Sequence, residues 1–96
     1  MNDSSRAVVA NEAVEARIFE LLARRAPGAS ICPSEVARAL VSAPSDWRAL
    51  MPQVREVAQE LARRRRVFVT RKGDRVDAMD RGGPIRLALP FEKERK

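Results

Sequence analysis

The stretch PQVREVAQELARRRRVFVT, residues 52–70, contains the point at which the chain changes its structural period. In the first part Val54, Val57, Ala58 and Leu61 recur at helical spacing. Arg55, Gln59 and Arg63, at i, i+4 and i+8, form a second stripe on another side of the same helix. From Val67 the period becomes two: Val67 and Val69 alternate with Phe68 and Thr70, the pattern of a strand with one buried face. Between the two patterns lie four consecutive arginines, Arg63 to Arg66. A helix running to about Arg64 therefore passes directly into a sheet.

Upstream, Val14, Ile18, Leu21 and Leu22 make one face of a helix over residues 11–25, which Asn11 can cap and Pro27-Gly28 ends. Phe19 lies off this stripe and reads as packing under a terminal segment or as a dimer contact. A shorter helix begins at Pro33, with Val36, Ala37 and Leu40 as its buried side, and Ser30-Ile31 before it can add a short strand. Residues 42–45 read as a turn, after which Ser45 or Asp46 caps a helical turn through Trp47 and Leu50, and Pro52 starts the helix anew.

Downstream of Thr70, a polar stretch with Lys72-Gly73-Asp74 and Gly82-Gly83 separates the first strand from a second, in which Ile85, Leu87 and Leu89 alternate with Arg86 and Ala88. This predicts a two-stranded antiparallel hairpin with a long loop. Three helices followed by a hairpin is the order of an α+β winged helix-turn-helix, the hairpin being the wing. One such domain spans residues 11–90, with residues 1–10 and 91–96 as flexible termini. Its core is expected to collect Val14, Ile18, Leu22, Val36, Leu40, Trp47, Val54, Val57, Leu61, Val69, Ile85 and Leu87.

Composition narrows the chemistry. Among 96 residues there is no histidine and no tyrosine, which removes Ser-His-Asp and Cys-His catalysis and the common metal sites. The acidic residues fall on helix surfaces and in the tails, with no sign of a shared pocket. A single cysteine, Cys32, permits neither an internal disulfide nor a cysteine-based zinc site, and reads as a small buried thiol, or as one activated by the start of the second helix. No cofactor, metal or enzymatic role is expected. The apolar run at residues 7–10 is too short for a signal peptide or membrane span, so the protein reads as cytoplasmic.

The net charge of +6 is unevenly placed: residues 52–75 carry eight basic against three acidic side chains, and the first half of the chain is neutral. The candidate nucleic-acid-binding residues are Arg55, Gln59, Arg63, Arg64, Arg65, Arg66, Arg71, Lys72 and Arg75. Arginine can bridge guanine O6 and N7, and glutamine can pair with adenine, in a major groove. The cations at the helix end and on the wing can take phosphates. Against this, Glu56 and Glu60 share the helix surface, and Glu60 can pair with Arg63 or Arg64. Trp47 reads as core packing, and Asp46 as a cap.

Three segments, ICPSEVAR (residues 31–38), DWRALMPQVR (residues 46–55) and GPIRL (residues 83–87), together resemble a bacterial family of small winged-helix proteins classed as a domain of unknown function. The resemblance extends from about Val14 to Leu89 and implies the fold, with no activity, ligand or catalytic residue attached. The function expected is therefore non-catalytic binding of nucleic acid, with duplex DNA favoured, through the third helix and a basic wing. The alternative is a protein-protein interaction module on the same scaffold, with Phe19, Phe68 and Phe91 marking the contact. Oligomeric state, target sequence and any small-molecule effector are left open.

Overall fold

The computed structural model describes residues 9–26, 28–41, 43–79 and 82–90. The chain is α+β, with three helices and one antiparallel four-stranded sheet, in the order α1 (Asn11–Ala23), β1 (Ser30–Ile31), α2 (Pro33–Leu40), α3 (Pro44–Arg63), β2 (Phe68–Arg71), β3 (Asp74–Arg75) and β4 (Arg86–Ala88). The expected two-stranded hairpin is thus corrected. Ser30-Ile31 does join the sheet, but Lys72 (φ 53) and Gly73 (φ 89) turn the chain within two residues into an additional strand, β3. Two successive positive φ values are what a type I′ hairpin needs, and Gly73 meets this without strain.

Strand order is β1-β4-β2-β3. The register aligns Ile31, Leu87 and Val69 across three strands, and all three are buried against the helices. Because side chains alternate, two neighbouring rows point the other way: Ser30-Ala88-Phe68, and Arg86-Thr70-Arg75.

The helices supply the rest of the core. Val14, Ile18 and Leu22 from α1, Val36 and Ala37 from α2, and Leu50, Val54, Val57, Ala58 and Leu61 from α3 join Val67, Val69, Ile85 and Leu87. Each fully buried aliphatic side chain contributes about 1.5–3 kcal/mol of transfer free energy. Leu40 and Trp47, expected inside, are only half-buried at the edge of this cluster, whereas Ile31, Val67 and Ala78 are fully inside it. No polar or charged residue among those described is buried.

Several local expectations change. The N-cap of α1 is Ala10 rather than Asn11, and α1 ends at Ala23 rather than Arg25. Gln53 of α3 donates to Asn11 Oδ1 (2.8 Å) and to the Val9 carbonyl (2.7 Å), which fixes Val9 against the core, so that part of the expected flexible N-terminus is held. The remainder, residues 1–8 and 91–96, lies outside the described residues, as do Pro27 and Ser42. Gly28, at φ 87, lies in the turn after α1, where the Ala29 N–H donates to the Ala26 carbonyl.

In α2, Cys32 is the N-cap, half-buried rather than buried, and its N–H donates to Glu35 Oε2 at 3.1 Å. Glu35 also pairs with Arg25, tying the end of α1 to the start of α2. The third helix does not restart at Pro52. It runs unbroken from Pro44, with Ala43 as N-cap, so neither Ser45 nor Asp46 is the cap. Proline removes one ladder hydrogen bond, but Pro52 is exposed, where water can satisfy the carbonyl left over.

Candidate nucleic-acid interface

The nine candidate residues do not share one surface. Arg55 and Gln59, one helical turn apart on α3, are both turned onto the segment that follows β3. Gln59 Oε1 accepts the Ala78 N–H at 2.9 Å, and Arg55 donates to the Ala78 carbonyl at 3.4 Å. Ala78 itself is 0% exposed. The stripe that the sequence offers to a groove is therefore occupied by the chain's own backbone.

The arginine run is a helix terminator. The Arg66 N–H donates to the Leu61 carbonyl and the Arg65 N–H to the Ala62 carbonyl, both at 2.9 Å, while Arg65 adopts φ 62. This pair of bonds around a left-handed residue is a Schellman motif, in which glycine is the usual occupant. Arg63 and Arg64 bind Glu60 at 2.8 and 3.2 Å, as their spacing foretells. Arg66 reaches Glu15 of α1 at 3.3 Å and lies over the Phe19 ring, 4.8 Å from its centroid. Among the described residues Phe19 is covered by Arg66; the terminal segments expected over it lie outside them. Within this run only Arg65 has no ion pair among the described residues, and it is exposed.

On the sheet, Arg71 is half-buried and donates to the Gly83 carbonyl at 3.3 Å. Lys72 and Arg75 are exposed, and neither is ion-paired among the described residues. Arg75 lies flat on Phe68, its guanidinium carbon 3.6 Å from the ring centroid. Phe68 is thereby covered, and Phe91 lies outside the described residues. Among the described residues the exposed large apolar side chains are instead Met79 (47% exposed) and Leu89 (42%).

Arg86 and Ser30, both outside the sequence-based set, stand beside Lys72 and Arg75. Arg86 donates from Nε to Ser30 Oγ (2.9 Å) and from its terminal nitrogen to the Ser30 carbonyl (3.0 Å). With Thr70, Phe68, Ala88 and Gly28 these line a shallow depression on the outer face of the sheet that contains three cations and no carboxylate. The alternation Ile85-Arg86-Leu87 already marked Arg86 as outward-facing, but only strand pairing brings it to Arg75. A second cationic spot lies where α2 meets α3: Arg38 and Arg48 sit 4.8 and 5.3 Å from the centroid of the half-buried Trp47 ring.

The acidic residues are less scattered than expected. Glu12 and Glu15 of α1 and Glu56 and Glu60 of α3 line one groove with Asn11 and Arg64. Among the described residues no group of three or more acidic or cysteine side chains is arranged to hold a metal ion. No helix among them is long and apolar enough to cross a membrane.

Comparison with protein families matches residues 11–90 to a family described as protein of unknown function (DUF3253). The chain belongs to the DUF3253 family. The matched segment starts at the first residue of α1 and ends two residues after β4, so the DUF3253 unit contains every helix and strand described above. The expectation of a family of unknown function is met at that level. No curated protein matches the chain.

Proposed function

We propose that this DUF3253 domain is a non-catalytic nucleic-acid-binding module on a winged-helix scaffold, with duplex DNA as its ligand. The scaffold reading is supported by the order of elements and by the pairing of β1 with β4. In it α2 and α3 act as the helix-turn-helix and the β2–β3 hairpin as the wing. The observation that carries the functional reading is that Arg65, Lys72 and Arg75 are exposed and make no ion pair among the described residues, while the other arginines of the helix end are neutralised by Glu60 and Glu15. Unpaired, exposed cations on adjoining elements can displace the counterions of a phosphate backbone.

In this reading the duplex is gripped through its backbone by the wing and by Arg65, and Arg55 and Gln59 act as structural ties. The test is fluorescence anisotropy of the protein titrated onto random-sequence duplex across a salt series. Affinity in the micromolar range or tighter, falling steeply with salt, is expected. No binding at low salt would overturn the reading and transfer attention to a protein partner at Met79 and Leu89.

A further inference from the structure

We infer that the outer face of the sheet, which shares Lys72 and Arg75 with the duplex contact, also takes an unpaired strand of nucleic acid. The inference rests on the reading above for the class of ligand, and adds the form of that ligand and the residues that take it. The placement follows from register. Arg86, Thr70 and Arg75 form one row across β4, β2 and β3, so the two arginine Cα atoms stand about 10 Å apart at ordinary strand spacing. Ser30, Ala88 and Phe68 form the next row, and Lys72 follows at the hairpin tip.

Three features fit a flexible polyanion with exposed bases. The first is charge: three cations and no acid line the depression, which complements phosphates and nothing cationic. The second is pre-organisation. Arg86 spends two of its five N–H donors on Ser30, which fixes the guanidinium and leaves three donors for a ligand. The third is the flat guanidinium of Arg75 on Phe68, a stacked π surface at the centre of the face. Aromatic rings and arginine planes bind bases by stacking, and only an unpaired strand has base faces to offer. Ser30 and Thr70 hydroxyls beside these planes add sequence-tolerant hydrogen bonding.

The test uses a labelled oligothymidylate and a duplex of similar length with the whole chain. Phe68→Leu keeps an apolar side chain and removes the ring, and Arg86→Ala removes a cation outside the set proposed for the duplex. The far-UV circular dichroism and melting of both variants establish that they fold. Phe68→Leu should weaken oligothymidylate binding at least about fivefold, the lower bound for loss of one stacked base. Arg86→Ala should weaken it several-fold and reduce the salt slope by about 0.7. Duplex affinity should change less than about twofold in Arg86→Ala. In the wild-type protein, amide NMR shifts caused by oligothymidylate should centre on Ser30, residues 68–75 and residues 86–88.

Binding of oligothymidylate that is absent, or unchanged in both variants, or mapped away from the sheet, would overturn the inference. If the duplex binds and oligothymidylate does not, the inference falls and the duplex reading stands. If oligothymidylate binds through Phe68 and the duplex does not, the inference stands and the duplex reading falls.

Discussion

The end of α3 and the outer face of the sheet carry similar numbers of cations, yet they hold them in opposite ways. At the helix end, Arg63 and Arg64 share one carboxylate, and Arg66 is held by Glu15 and by the Phe19 ring. On the sheet, Arg75 lies on an aromatic ring and Arg86 on the neutral Ser30. Their charge remains uncompensated while their geometry is fixed. A run of charge in a sequence is therefore a poor measure of charge available to a ligand, because neighbouring acids at helical spacing neutralise it. Alternation across a sheet gathers dispersed cations from strands far apart in the chain.

The contrast can be broken most directly by binding. Replacing Arg65, Lys72 and Arg75 with Ala should lower duplex affinity by about 10- to 100-fold and flatten the salt slope by roughly 2–3, one counterion per lost phosphate contact. Replacing Arg63 and Arg64 should change affinity less than about threefold. Equal losses in the two variants would abolish the distinction between the regions.

The next effect is on stability. Gln59→Ala leaves the N–H of fully buried Ala78 without its acceptor, at a cost of about 1–3 kcal/mol, read as a lower urea midpoint. A variant that kept its stability and lost only duplex binding would restore Gln59 as a base-reading residue.

Arg65 links both regions, since it terminates the helix and faces solvent. Arg65→Gly should stabilise the fold by about 0.5–1 kcal/mol, because φ 62 is strained for a residue with a side chain, and should at the same time weaken duplex binding. Opposite signs in melting temperature and affinity are the expected signature. The smallest effect is at the paired arginines. Arg64→Ala should change stability by less than about 0.5 kcal/mol and by nothing measurable in 1 M salt. Glu60→Gln, which releases both partners, should raise duplex affinity about twofold.

Much of this architecture was legible from side-chain periodicity. The stripes at Val14-Ile18-Leu22 and Val54-Val57-Leu61 gave the helices their buried faces, and the alternation at Val67 and Val69 gave β2 its inner side. What escaped was set by contacts distant in sequence. Pro52 looked like a helix start because proline breaks buried ladders, but on an exposed face water can make good the lost bond. The additional strand β3 was hidden because Lys72 stands at a position where Asn or Asp would have announced a two-residue turn.

The candidate interface was legible only as composition. The excess of charge in residues 52–75 identified the region, but no local pattern indicated that Arg55 and Gln59 would be taken by Ala78. Nor could it show that Arg86 would stand beside Arg75, since that neighbourhood exists only once β4 has paired with β2.

Ala78 also has a mechanical meaning. Both of its backbone groups are clasped by side chains one turn apart on α3, a rivet placed three residues after the end of β3 on the crossing to β4. The stretch left to close before β4 is thereby shortened, with less chain entropy to lose than the whole crossing would have. Through this rivet the crossing is tied to α3, which Gln53 in turn ties to the Val9 carbonyl and to Asn11 at the start of α1.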